Sequence, residues 1–585
     1  MTIIIVQDHD ECEFHMTPLK INNFSHMKKY IFPLLFVAVA LFSACDVDLL
    51  DIPQKGVIDI DSFYKTDEDA ESALVNLYGD FITNIGGNDG IYVPYNIIFN
   101  YCADNVLAAG EYYGDNDQFA SINEFRFDSQ SSVVYQLYRR LYFVIYHSNL
   151  VINNFEYGQS AVKDRCISEA RVIRAWCHMT AALAWGTPPL IDRVLLGTDK
   201  PSNFEGTHED LLKWCAKEAS EAVQYLDERK STSDKDGAVK VTKGFAWTVQ
   251  GKALLNAGDY AGAKAALKNV ISSGKYALVP GEEFGNLFHL SGDGNEEKVF
   301  ELNLINNASI GDWSGKIQRS TWMEMNLWGW RSSRLAASPT MQADQGWGGL
   351  AIEETFANEF AANDGDSYRR KATIITYEEF LTELEWPSDG GDINKMTKAQ
   401  KLADPKRGII NPDGLYGQSN YLQRKHIVAK EDRSTNWYRF NNFIITRYAD
   451  VLLMYAEACA QTSDNDGLQY LRMVQQRAGS NYVSNSLTLN DVKKERNYEL
   501  WMEGSRWIDM KRWKEFEKAK KAGTHIPSLK DAFINDKEPA HRGYLTYSEP
   551  NAGKQIGFKE GKHEWFPYPY NVTSINSNLT QNPGW

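Results

Sequence analysis

Apolar positions along this chain recur mainly at the spacing of amphipathic helices. In DEDAESALVNLY (67–78) they fall at helical intervals behind three acids, which suit the positive end of a helix dipole. The same spacing predicts helices over Val133–Phe155, Ser168–Trp185, His208–Leu226, Val241–Ala257, Gly258–Ile271, Phe443–Gln461 and Leu487–Lys521. Tyr135, Tyr138, Tyr142 and Tyr146 line one side of the first of these after residue 78. Gly186-Thr187-Pro188-Pro189 supplies a stop after Trp185. GDYAGAKAALKNVI (258–271) has the turn, aromatic and small-residue pattern of tetratricopeptide-like helix pairs, in which each pair covers its neighbour's apolar face.

The pattern changes twice. Residues 280–445 are rich in Gly, Trp, Asn and Asp with few long amphipathic runs, and Trp386–Gly414 is polar and turn-rich. The tail beyond Gly523 also reads as loops.

A different pattern stands near the start. Lys28 and Lys29 precede an apolar run from Tyr30 to Phe42; Ser43 and Ala44 then lead into Cys45 and the acid-rich DVDLLD. That is the plan of a secretory signal, and the run is shorter than the roughly 20 residues that span a bilayer. A cysteine where cleavage would fall points to a lipoprotein whose new N-terminal thiol is acylated; the alternative is an ordinary signal peptide with an incidental Cys. Asp8, Asp10, Glu11 and Glu13 conflict with a basic leader, so residues 1–26 read as an upstream extension and Met27 as the start. The expected division is signal peptide 27–44, lipid-anchored tether 45–56, and one domain over 57–585. Within that domain the helical scaffold occupies mainly 57–280 and 440–525, the loop-rich variable region about 280–440 and the loop tail 525–585.

Composition narrows the function. A net charge of −15 argues against a nucleic-acid backbone as partner. Five cysteines beyond Cys45 (Cys102, Cys166, Cys177, Cys215, Cys459) lack metal-ligand spacing, so neither a zinc site nor a disulfide framework is expected. With 16 Trp, 30 Tyr and 27 Phe, the chain carries many aromatic side chains, which fill cores or stack on sugar rings.

Several segments together resemble the SusD/RagB family of outer-membrane nutrient-binding lipoproteins. They are FYKTDEDAESALVNLY (63–78), SEARVIRAWCHMTAALAWGTPPLI (168–191), GDYAGAKAALKNVISSGKYAL (258–278), IITRYADVLLMYAEACAQ (444–461), ERNYELWMEGSRWIDMKRW (495–513) and LTQNPGW (579–585). The resemblance implies a mostly α fold, a tetratricopeptide-like helical scaffold of about four helix pairs with a large loop-rich ligand-binding face. It also implies a non-catalytic surface lipoprotein that binds oligosaccharides and delivers them to a SusC-like TonB-dependent transporter, with DVDLLD as an export signal. Alternatives are a surface glycoside hydrolase, or the same family binding peptides or glycopeptides.

Ligand-binding candidates come from the aromatic clusters. Trp322, Trp328 and Trp330 lie in the least helical region with Trp313 and Trp347. If Trp328-Gly329-Trp330 is extended, both indoles share a face suited to a pyranose ring; otherwise they pin a loop to the scaffold. Tyr112 and Tyr113 form a second candidate pair, in a short polar loop after Asp104. Glu495, Glu499 and Glu503 are spaced i, i+4, i+8, but interleaved Arg496, Arg506, Lys511 and Arg512 favour a structural charge network over a glycosidase carboxylate pair. Arg447, Asp450 and Glu457 read likewise, and His178 as core. No cofactor is expected; Asp364-Gly365-Asp366 and Asp413-Gly414 could hold Ca²⁺ but lack a full ligand set.

Overall fold

A computed structural model describes residues 63–86, 93–110, 115–304, 327–330, 346–376, 379, 421–427, 429, 432, 441–519, 525–526, 545–546 and 557–585. Tyr64–Trp585 falls into one compact unit, to which all of these except Phe63 belong. The scaffold is mostly helical and of tetratricopeptide-like type. Helix α1 (Asp67–Phe81) starts at a capping box: Thr66 accepts from the Asp69 backbone N–H while Asp69 accepts from that of Thr66. It buries Ala70, Ala73, Leu74, Leu77 and Phe81, the stripe that helical spacing places on one side.

After α2 (Pro94–Tyr101) and α3 (Asp117–Asn123), α4 (Ser132–Asn154) and α5 (Ala161–Trp185) form the first long pair. α5 is buried from Cys166 to Trp185 at every position but half-buried Arg171, because α4 packs on one side and α6 (His208–Ala222) on the other. It begins seven residues before the predicted start, behind the Ser160 cap, and ends where predicted, with Gly186 at φ +77°. Then α7 (Lys243–Asn256) packs on α6, and α8 (Tyr260–Ser272) on α7. The last crossing needs Gly251, since a Cβ there would meet Leu267 at 2.5 Å.

The array continues across a long gap in sequence. α9 (Glu354–Asp364) and α10 (Tyr368–Thr373) belong to the intervening stretch, and α11 (Tyr448–Gln461) stacks directly on α8. α12 (Gly467–Ala478) and α13 (Leu489–Glu499) cover α11, and α14 (Arg506–Trp513) returns to pack on α2.

Two predicted helices are corrected. Residues 443–447, placed in a helix by apolar spacing, form strand β6 (Phe443–Arg447), paired antiparallel with β2 (Lys298–Leu302). The run Phe-Ile-Ile-Thr is β-branched and aromatic, which suits a pleated, buried surface. The predicted helix over 487–521 divides into α13 and α14, with Met502 and Gly504 at φ +60° and +73° between them. That break takes Glu503 off the helix.

The tail closes on the first long pair. Phe566 N–H donates to Ala184 O (2.9 Å), Trp185 Nε1 to Pro567 O (2.9 Å) and Asn582 Nδ2 to Trp185 O (3.1 Å). The five downstream cysteines are buried free thiols.

Candidate functional site

Three short antiparallel ladders stand among the helices. β1 (Val106–Ala108) pairs with β3 (Leu350–Ile352), β2 with β6, and β4 (Ile374–Thr376) with β5 (Tyr421–Gln423). Residues 327–330 are tied between them. Gln423 Nε2 donates to Trp328 O (2.6 Å), and Gln423 O accepts from Trp330 Nε1 (2.6 Å). Tyr101 Oη, at the end of α2, donates to Gly349 O (3.0 Å) and accepts from Trp328 Nε1 (3.1 Å).

Trp328 and Trp330 are thus placed otherwise than expected for a stacking platform. They are 2% and 3% exposed, and each N–H is bound inside the protein. Leu327 and Trp328 lie in a helical turn, so the extended backbone that would put both indoles on one face is absent. A buried indole needs a partner for its N–H, and these two find theirs on different elements. The pair pins its loop. Gly346 is part of the same clasp: a Cβ there would stand 1.8 Å from Trp330 O. Trp322, Tyr112, Tyr113 and Cys45 lie outside the described residues.

The edge of Trp328 borders a hollow of about 60 Å³, which sequence reasoning missed. Half-buried Asn96, Asn441 and Asn442 line it together with buried Tyr95, His426 and Met502. These residues come from α2, the turn after β5, the entrance to β6 and the α13–α14 break. Only dispersed asparagines marked them in the sequence. The His426 ring lies edge-on to Trp328 (centroids 4.9 Å) and Phe288 (5.8 Å), and its backbone N–H donates to Gln423 Oε1 (3.1 Å). Burial, aided by the charge of Lys425, lowers its pKa to about 3, so the ring is neutral near pH 7.

Glu503 also borders the hollow and belongs to a buried ion network beneath it. Arg447 holds both oxygens of Glu503 (2.7 and 2.8 Å) and reaches Glu297 and Glu499 (2.6 Å each). Arg477 bridges Glu297 and Glu499 at 2.5 Å each, and Arg369 pairs with Asp364, Glu495 and Glu499. Lys425 Nζ donates to Glu503 (2.6 Å) and to the backbone of Trp501 (2.8 Å). Five carboxylates (Asp364, Glu297, Glu495, Glu499, Glu503) therefore face four cations (Arg369, Arg447, Arg477, Lys425).

The surplus carboxylate has a natural seat. Burial raises Glu495 to about 7 against the pull of Arg369, whereas for Glu499 the pull of Arg477, Arg447 and Arg369 outweighs burial and holds it well below the usual range. Burial lowers Lys425 to about 8. Glu495 and Glu499 have no exposed surface to offer a substrate, being 2% and 0% exposed. The charge-network expectation for this segment and for Arg447 stands; Asp450 likewise pairs with Arg496 (2.8 Å) and Glu457 with Arg512. Glu503 and Arg506 stand three positions apart but do not pair, because Arg506 turns to Asp104 (2.7 Å). The calcium expectation at 364–366 fits poorly, because Arg369 occupies both Asp364 oxygens (2.9 Å each); among the described residues no cluster of three or more His, Cys, Asp or Glu could hold a metal ion. His178 is core, its Nε2 3.1 Å from Ile191 O.

Fold and site together define a helical-repeat scaffold protein that carries short antiparallel ladders and a buried tryptophan clasp. The SusD family model matches residues 318–585. A SusD-like protein of Bacteroides ovatus is 27% identical over 530 residues, covering 86% of this chain and 84% of its own. SusD-like protein P25 of Formosa agariphila is 23% identical, covering 82% and 88%. A laminarin-binding SusD-like protein superposes with TM-score 0.68 at 21% identity, covering 89% of this chain and all of its own. A surface glycan-binding protein A from Bacteroides thetaiotaomicron, solved with laminarihexaose, gives 0.67 at 18% identity, covering 88% and 100%. The chain thus matches the SusD family model over its C-terminal 268 residues and is similar to SusD-like proteins along most of its length.

Proposed function

We propose that this chain is a non-catalytic, cell-surface glycan-binding lipoprotein of the outer membrane. Cys45 is its lipid anchor, and it passes captured oligosaccharide to a SusC-like TonB-dependent transporter. The observation that carries the glycan assignment is the amide-lined, aromatic-walled hollow at the point where the ladders and Trp328 meet. Fixed amides and aromatic edges on a rigid scaffold suit neutral polyhydroxylated ligands. The laminarin and laminarihexaose binders of like fold support the same reading. Binding is favoured over hydrolysis because Glu495 and Glu499 are committed to buried arginines, far from the exposed pair a glycosidase uses.

Calorimetry of the chain from residue 46 onward against glucan, xylan and mannan oligosaccharides and against peptides tests the assignment. Saturable glycan binding without new reducing ends is expected. Turnover abolished by one carboxylate substitution, or binding of peptides alone, would overturn it. Loss of membrane association in Cys45→Ala checks the anchor, and co-purification with a membrane transporter checks delivery.

A further inference from the structure

One face of α1 opens onto a groove. Glu71, Leu74, Val75, Tyr78, Gly79 and Ile82 fall on one side of the helix and border a space of about 640 Å³. Ligand pockets span about 300–1,000 Å³, so the size suits a bound molecule. It shares no bordering residue with the hollow at Trp328, and the glycan reading makes no use of it.

The other wall is the loop 227–242, which brings Val239 and Val241. Tyr78 ties the walls together: its Oη accepts from Val241 N–H (2.7 Å) and donates to Glu169 of α5 (2.6 Å). The width is therefore set before any ligand arrives. Val75, midway along the α1 side, is 67% exposed. At Ile82 the helix passes into a π-helical turn (Ile82–Gly86), a rare geometry that is frequent at functional sites.

The lining disfavours a sugar. Aliphatic side chains stand on both walls, and Tyr78, whose hydroxyl is committed, is the one aromatic residue among the described residues that border the groove. Charge narrows the occupant further. Arg165 is shared by Glu71 and Glu169. In the loop Asp227, Glu228, Asp234 and Asp236 outnumber Lys230 and Lys240. Lys243 pairs with Glu228 (3.5 Å), and the groove stays acidic with that cation included. The side chains of Asp227 and Asp236 form no ion pair among the described residues.

We propose that this groove binds an extended polypeptide segment, aliphatic at its centre and flanked by Lys or Arg. From Glu71 to Ile82 the helix rises about 16 Å, and an extended chain covers that length with about five residues. The aliphatic centre covers Val75, and the flanking cations answer the surplus carboxylates. The inference is independent of the glycan assignment.

The probe is a fluorescein-labelled heptapeptide with Val-Leu-Val between paired lysines, titrated by anisotropy into the chain from residue 46 onward. It is expected to bind about tenfold more tightly than peptides with glutamate flanks or a Ser-Gly-Ser centre, and less tightly as salt rises. Asp227→Lys with Asp236→Lys should remove most of the preference for lysine flanks. Val75→Ser should weaken binding while leaving that preference. All three positions border the solvent-open groove, and circular dichroism checks that the variants keep the native helix content. Equal binding of the glutamate-flanked peptide, no peptide binding, variants without effect, or displacement of the peptide by laminarihexaose overturns the proposal. Peptide binding without any oligosaccharide binding leaves the groove standing and overturns the glycan assignment.

Discussion

Arg447 and Glu503 form a two-point ion pair across 56 positions of sequence, with Nε and Nη2 of the arginine at 2.7 and 2.8 Å from the two carboxylate oxygens. Arg447 is the last residue of β6, and Glu503 sits in the break between α13 and α14. The pair ties the ladder under the hollow to the C-terminal helices. It also shows why the break exists, since a continuous helix would hold Glu503 in the α13 register.

Removing one partner of a buried pair strands the other. Glu499→Gln should destabilise the protein by about 3–5 kcal/mol, because Arg447, Arg477 and Arg369 all contact this carboxylate. Glu495→Gln should be far milder, since Glu495 already titrates near 7. Urea denaturation of both variants at pH 7 checks the contrast; equal losses would refute the account of which carboxylate carries the proton.

Stability should fall steeply in acid. Burial lowers His178, His426 and His563 to about 3 and His208 to about 4. The unfolded chain takes up these protons below about 6.5 while the native state does not. The stability they contribute is therefore complete above about 6.5 and is lost as pH falls toward 3–4, at up to about 1.4 kcal/mol per pH unit for each fully buried histidine. Glu495 works the other way: its raised pKa contributes stability below about 4.5, lost as pH rises through 7. Asp293, raised to about 7 by burial and the nearby charge of Glu301, acts as Glu495 does, and between these limits four histidines outweigh these two carboxylates. Net proton uptake on unfolding at pH 5.5 is expected, and net release would contradict it.

Trp330→Phe removes the donor to Gln423 O and should cost about 1–3 kcal/mol for the carbonyl left unpaired. Trp330 does not border the hollow, so glycan affinity of the folded fraction should be unchanged. Trp328→Phe also loses a buried hydrogen bond, to Tyr101, but alters the wall of the hollow and should weaken glycan binding as well. Paired melts and binding isotherms separate the two.

Gly346→Ala places a methyl group against Trp330 O, where Cβ would stand at 1.8 Å. The neighbour is backbone and cannot rotate away, so the clasp over 327–330 and 346–349 must shift. Faster limited proteolysis near residue 346, with thermal stability of the helical array little changed, is the expected outcome.

Much of the scaffold was legible in the sequence. The Thr66–Asp69 capping box, the Ser160 cap and the Gly186 stop act within a few residues, so helix ends follow from local chemistry. The stripe on α1 and the close crossing at Gly251 and Leu267 are consequences of helical periodicity and side-chain size. The helix assigned to 443–447 failed because its partner strand lies at 298–302, and pairing across so long an interval leaves no periodic signature.

The site depended on distance in sequence. Trp328 and Trp330 looked like a platform because local geometry alone could aim both indoles outward. Their orientation is set instead by Tyr101 and Gln423, 227 and 93 positions away, which satisfy the two N–H groups inside the protein. The sequence by itself determined most of the long helices and their ends, since those depend on neighbours along the chain. Which aromatics face inward and which carboxylate keeps its proton were decided only by tertiary structure. Hydrogen bonds and buried charges are satisfied in space, by whatever residues the fold brings there.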